Sequence, residues 1–182
     1  ELDSDDAVYV AGKLGADERE KLLERLPQTT RAHIEQGLAY GEDSAGRLMQ
    51  RELVAVPNYW TVGETIDYLR STQNVPDKFY AVFVVDPRHR PQGMVELHRV
   101  LTSKRPVRMK DIADKDLETI PTDMDKEEVA FLFRQRDLTA APVVDKSGRL
   151  IGQITIDDVV DVIDEEAGED FLKLAGVRTT ED

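Results

Sequence analysis

The stretch Pro142-Val143-Val144-Asp145-Lys146-Ser147-Gly148-Arg149-Leu150-Ile151-Gly152-Gln153-Ile154-Thr155-Ile156-Asp157-Asp158 decides the fold of this 182-residue chain. Two apolar runs flank the polar turn Asp145-Lys146-Ser147-Gly148, the pattern of a β-hairpin. Directly after it, Ile156, Val159, Val160 and Ile163 recur at helical spacing and predict a helix from Ile156 to about Ala167. Upstream, Val129, Leu132 and Phe133 mark the inner face of a helix from Asp125 to about Arg136. Asp125 with Glu128 three residues on reads as a capping box. Ahead of that, Leu117-Glu118-Thr119-Ile120-Pro121 is a short β-prone run stopped by proline. The unit is β-α-β-β-α.

The same unit occurs once before. Leu53-Val54-Ala55-Val56-Pro57 lies 64 residues ahead of Leu117–Pro121, and a helix from Thr61 to about Arg70 follows with Val62, Ile66 and Leu69 inward. Val84-Val85-Asp86 lies 59 residues ahead of Val143-Val144-Asp145, and Gly93 lies 59 ahead of Gly152. The difference places about five extra residues in the middle of the first unit, around Asn74 to Phe79. A weaker closing helix falls near Leu97 to Ser103. Residues 1–44 read as helical: Leu22, Leu23 and Leu26 share one side of Glu18–Leu26, and Thr29–Ala39 ends at Tyr40-Gly41. These apolar positions are too few for an independent bundle, so the segment is expected to pack on the repeats. Residues 171–182 read as a polar tail.

Composition narrows the function. With 24 basic and 37 acidic residues the net charge is −13, which repels nucleic acid and attracts cations. The chain has no cysteine, so thiol catalysis and cysteine-ligated zinc are excluded. His33, His89 and His98 are scattered, Ser44, Ser103 and Ser147 have no nucleophile-elbow context, and no catalysis is expected. The opening Glu1-Leu2-Asp3-Ser4-Asp5-Asp6 has no basic leader and reads as part of a longer chain. Eight acids fall between Asp157 and Asp170, with no Lys or Arg between Arg149 and Lys173. On a helix, positions 158, 161 and 165 share the side opposite the apolar stripe. Like charges at that spacing cost ~0.2–0.5 kcal/mol each. Such a face is either simply solvated or holds a hard cation such as Mg²⁺.

The repeated unit, with Pro142–Asp145 followed by Gly152–Asp158, resembles tandem CBS domains. Two flanking passages resemble the MgtE family of magnesium transporters in particular: Tyr40-Gly41-Glu42-Asp43-Ser44-Ala45-Gly46-Arg47-Leu48-Met49, at the entry to the first CBS domain, and Thr155–Asp170, at the exit toward the membrane domain. The resemblance covers essentially the whole chain. It implies an α+β fold with a helical N-domain remnant at 1–44, CBS domains at 45–112 and 113–170, and a tail at 171–182 leading toward a membrane domain that is absent here. It further implies a regulatory, non-enzymatic role on the cytoplasmic face of the membrane. The expected partners are a second copy paired through the CBS domains and the membrane domain of the full-length chain.

Carried over position by position, the resemblance places Mg²⁺ ligands at Asp5, Asp125, Asp137, Asp158, Asp161, Glu166 and Glu169. Tyr9 stands where the family often has a further acid beyond the Asp5-Asp6 pair, which weakens an N-domain site. Adenine nucleotide such as ATP is the second ligand implied. Thr155 and Asp158 match the ribose- and phosphate-holding pair, and Tyr80 matches an adenine-contacting aromatic or simply packs a strand edge. In the first unit the pair is replaced by Glu96 and Arg99, and Glu96 would repel phosphate. Two rivals to Mg²⁺ sensing stay open: a nucleotide-sensing module of another enzyme or transporter, and a dimerisation scaffold.

Overall fold

The computed structural model describes residues 3–176. Three helices come first: α1 (Ser4–Lys13), α2 (Ala16–Glu24) and α3 (Gln28–Ala39). They bury Ala11, Leu23 and Ile34 against Ala7, Leu26 and Leu38. This small core makes α1, whose inner positions are mainly alanine and valine, a helix that hydrophobic spacing hardly announces. A short turn, α4 (Ala45–Leu48), leads into the first repeat: β1 (Val54–Pro57), α5 (Val62–Ser71), β2 (Ala81–Val85), β3 (Pro91–Glu96) and α6 (Leu97–Thr102). A second short turn, α7 (Met109–Ile112), leads into the other: β4 (Ile120–Pro121), α8 (Lys126–Arg136), β5 (Ala140–Val144), β6 (Leu150–Thr155) and α9 (Ile156–Leu174).

The repeats are superimposable in register. Each sheet has a parallel pair followed by an antiparallel one, in the orders β1-β2-β3 and β4-β5-β6. Val82 faces Val95 and Ala141 faces Ile154; the registers slip at Val84/Val85 and at Val143/Val144. Both hairpin turns hang on an aspartate: Asp86 Oδ1 accepts from the Arg88 and Arg90 amides, and Asp145 Oδ1 from those of Ser147 and Arg149. The left-handed position is His89 in one turn (φ 62°) and Gly148 in the other (φ 78°). The extra residues of the first unit lie in the link between α5 and β2. Phe83, Ala81 and Met94 of one sheet pack on Ala140 and Leu150 of the other, so the two units share a core.

The lead segments are exchanged. The turn preceding the first unit lies on the second: the Ala45 and Gly46 amides donate to the Met124 and Thr122 carbonyls, and Gln50 pairs with Gln153 through both backbone bonds. The turn preceding the second unit lies on the first, where Met109 donates to Trp60 and Asp114 pairs with Met94. Glycine permits this approach. A Cβ on Gly152 would stand 2.6 Å from Met49 Sδ and 2.9 Å from the Gln50 carbonyl oxygen. On Gly93 it would stand 2.7 Å from Ala113 Cβ. Gln50 and Gln153 are buried, and both side-chain amides donate to the Glu52 carbonyl at 3.0 and 2.9 Å.

Three local expectations change. Asp125 caps α8 by accepting from Glu127 N at 2.8 Å, not through a box with Glu128; the full capping box belongs to Thr61 and Glu64 on α5. Val162 replaces Val160 on the buried stripe of α9, and Val160 is exposed, because α8 packs across the side that Val159 and Val162 share. Phe171–Leu174, read as polar tail, continues α9, since nothing in Asp170-Phe171-Leu172-Lys173 breaks a helix and the first αL glycine is Gly176. Residues 177–182 of the expected tail lie outside the described residues.

Replacing Gly152 by alanine is expected to destabilise the chain by about 1–3 kcal/mol through overpacking. Gly15, which has no atom within 4 Å of its Cβ position, serves as the control. Chemical denaturation of the two variants checks this.

Candidate functional site

Because the lead segment crosses to the second unit, the helical region sits over the start of α9 rather than over the first repeat. Polar contacts hold it there. Ser4 donates its amide (3.2 Å) and hydroxyl (2.7 Å) to the Glu52 carboxylate, and the Arg51 amide donates back to Ser4 Oγ at 2.8 Å. Arg47 donates to the Leu38 and Tyr40 carbonyls at the end of α3. The surfaces between these contacts do not meet fully, and a cavity of about 690 Å³ remains. Its walls are Asp5, Asp6 and Tyr9 of α1, the Glu42–Leu48 segment, Lys126, and Asp158, Asp161, Asp164 and Glu165 of α9.

Asp158 enters this cavity because of how α9 begins. Its carboxylate reaches back to the N-cap residue Thr155, accepting from the Thr155 amide at 3.3 Å and hydroxyl at 3.2 Å. Asp5 comes from the opposite wall. Burial, then the charge of Asp158, pushes the Asp5 carboxyl up to about 8 from an ordinary 3.8. Burial raises Asp158 as well, against the opposing hydrogen bond from the Thr155 amide. Asp5 Oδ1 is buried without a hydrogen-bond partner. Two partly desolvated carboxylates that face each other either share a proton or, if both are ionised, need a cation between them. Asp3, Asp5 and Asp6 also bring carboxylate oxygens within 4.8 Å of one another. All these donors are hard oxygens, the set that suits Mg²⁺ or Ca²⁺.

The structure therefore gathers Asp5, Asp158 and Asp161 from the expected ligands and leaves the others outside the cavity. Asp125 caps the start of α8; Asp137 ends the same helix in a left-handed conformation, exposed. Glu166 and Glu169 lie further along α9, the first half-buried and the second exposed. Thr155 and Asp158 are engaged with each other, and Tyr80 donates from Oη to Asp157 Oδ2 at 2.7 Å, joining the two repeats. A phosphate placed at Asp158 would meet the acids of the cavity.

Sequence reasoning missed Lys126. Its ammonium lies 3.1 Å from Asp43 Oδ1 and 3.2 Å from Glu165 Oε2. The available signal was its place: a lysine in the first turn of a helix opposes the macrodipole and calls for a compensating acid.

Two repeats of β-α-β-β-α with exchanged lead segments define a pair of CBS domains, and the CBS family model matches residues 45–104 and 109–165; the chain belongs to the CBS-domain family. Its particular form is that of the MgtE proteins, because residues 1–43 match the MgtE intracellular N domain ahead of the CBS pair. Magnesium transporter MgtE of Thermus thermophilus is 39% identical over 158 residues, 87% of this chain and 35% of that protein. Magnesium transporter MgtE of Enterococcus faecalis is 32% identical over 148 residues, 81% of this chain and 33% of that one. The chain spans about a third of the length of these relatives. Among solved structures, the cytosolic domain of the Mg²⁺ channel MgtE in complex with ATP aligns with a TM-score of 0.83 at 36% identity, covering 88% of this chain and 66% of that one. The soluble part of a magnesium transporter aligns at 0.85 and 29% identity, over 91% and 65%. No helix among the described residues is long and apolar enough to cross a membrane.

The raised carboxyls set a pH dependence. Asp5 and Asp158 bind a proton more tightly folded than unfolded; the Asp5 contribution is fully present below about pH 4 and is lost as pH rises through about 8, and that of Asp158 has the same sign. In EDTA, the melting temperature is expected to fall between pH 5 and 8, and Asp5→Asn to flatten that slope and melt higher at pH 8. Thermal melts across that range test it; a wild-type profile as flat as the variant's would contradict it.

Proposed function

We propose that this chain is the cation-sensing regulatory part of an MgtE-type magnesium transporter, acting on the cytoplasmic face of the membrane. The observation that carries the reading is the pair Asp5 and Asp158: two half-buried carboxylates from opposite sides of one interface, with Asp5 Oδ1 buried and unpartnered. Asp5 on the helical side, with Asp158 and Asp161 on α9, would hold Mg²⁺, which would supply the positive charge that lets these surfaces stay closed. Without it the pair must hold a proton or, once ionised, repel, and the polar contacts through Ser4, Arg51 and Arg47 are left to oppose that repulsion. Closure linked to a cation is favoured by RT ln(1 + [L]/Kd) for each site. A cation that keeps much of its hydration shell binds each site weakly, so several sites acting on one closure give the steeper response.

The remaining acids, Asp125, Asp137, Glu166 and Glu169, are proposed to serve further cations where a second copy or the membrane part of a longer chain meets the CBS pair. Exposed Phe131 on α8 and Val160 on α9 offer apolar area for such a second copy. Adenine nucleotide is kept as a second reading because one aligned cytosolic domain was solved with ATP; Tyr80 and Thr155 would be its contacts.

Melting and small-angle scattering with Mg²⁺ raised to ~20 mM, against sodium at matched ionic strength, test the sensing reading. Mg²⁺ alone is expected to raise the melting temperature and shrink the radius, and Asp158→Asn with Asp161→Asn to remove both effects. An equal response to sodium reduces the acids to ordinary screening, and a response to ATP or AMP in place of Mg²⁺ would transfer the role to nucleotide.

A further inference from the structure

Lys126 is chemically out of place. It is the first residue of α8, where a positive charge is disfavoured by the helix dipole, and it lines a cavity half of whose other lining residues are acidic. Two other cations line that cavity, but both are otherwise occupied or peripheral. Arg47 is spent on the carbonyls at the end of α3. Lys13 stands over the Tyr9 ring at 5.3 Å. Among the described residues, Lys126 alone of the three forms ion pairs with carboxylates, and it forms two. Its side chain is 25% exposed, less than either partner (Asp43 67%, Glu165 57%).

The partners belong to different parts of the molecule. Asp43 lies in the Tyr40–Ser44 junction between α3 and α4, on the helical region's side, and its carbonyl also accepts the Lys126 amide at 2.8 Å. Glu165 lies in the third turn of α9. Lys126 is thus clamped by backbone and side chain to the junction, and by side chain to α9.

We propose that Lys126 is a built-in counter-cation of the sensing cavity. Its ammonium supplies one of the positive charges that closure requires, holds the junction to α9 before any metal arrives, and lowers the number of divalent ions the closure takes up. The inference rests on the reading of the cavity as a Mg²⁺ site. It adds a residue of this chain that sets how much metal the closure needs. Two consequences follow. With the lysine present, the metal-free chain is partly closed and its response to Mg²⁺ is shallow. Without it, Asp43 and Glu165 join the acids to be neutralised, so the metal-free state opens and the response steepens.

The test compares wild type with Lys126→Gln and Lys126→Arg, by melting and small-angle scattering, in EDTA and across a Mg²⁺ titration at constant ionic strength. Lys126→Gln is expected to melt about 2–4 °C lower than wild type in EDTA, with a larger radius. It should show a steeper Mg²⁺ response and match wild type at saturating Mg²⁺. Lys126→Arg should retain wild-type behaviour. A deficit in Lys126→Gln that persists undiminished at saturating Mg²⁺ would make the lysine a structural support only and overturn the proposal. Coincident wild-type and Lys126→Gln curves in EDTA would overturn it too. Failure of the underlying reading looks different: the wild type itself then ignores Mg²⁺, whatever residue stands at 126.

Discussion

Everything in this molecule follows from the crossing of the two lead segments. Backbone pairing of Gln50 with Gln153 and of Asp114 with Met94 lays each repeat's lead segment on the opposite sheet. That pairing is possible only where the receiving strand has no side chain, at Gly152 and Gly93. The crossing locks the units together and buries the glutamine amides against a single carbonyl, Glu52. It also delivers whatever precedes the first repeat onto the second. The acidic cavity exists between α1 and α9 for that reason; an uncrossed entry would have placed the helical region beside Glu96 and His98.

The joint so formed is electrostatically unfinished. A typical domain interface buries apolar area and excludes charge, whereas this one is held by hydrogen bonds at its edges and confronts carboxylates at its centre. Asp158 is kept in place by the N-cap it completes, so it cannot turn away to solvent without unmaking the start of α9. Asp5 is fixed by its helix. The protein has therefore tied a costly charge arrangement to one of its own secondary-structure signals. A proton on Asp5 relieves the strain up to about pH 8, a hard cation can take the proton's place, and the Lys126 ammonium offsets two further acids, Asp43 and Glu165.

The repeat, its strand order and most of the core were legible because hydrophobic periodicity and offsets of 64 and 59 residues report packing directly. Gly93 and Gly152 were visible as matching positions, but their reason was not, since the atoms they admit come from Ala113 and Met49, remote in sequence. The pairing of Asp158 with Thr155 could be read from spacing. Its meeting with Asp5 could not, because 153 residues separate them and only the crossed topology joins them. Lys126 was hidden for the same reason: neither Asp43 nor Glu165 is a helical neighbour. Val160 and Phe171 were misplaced because α9 was judged by its own periodicity and composition, while packing against α8 and the absence of a breaker decided its face and its length.

That length has a mechanical meaning. Nineteen residues of uninterrupted α-helix make a rod of about 28 Å, pinned at one end beside the cavity and carrying exposed Phe171 and Leu174 at the other. A rod turns small rotations into displacements in proportion to its length: a tilt of about 5° at the Thr155 end moves the Leu174 end by roughly 2.5 Å. Gly168 is the one place along it where stiffness drops, with open space around its Cβ position. Where the rod bends under load decides how much of a movement at the carboxylates is passed on and how much is absorbed.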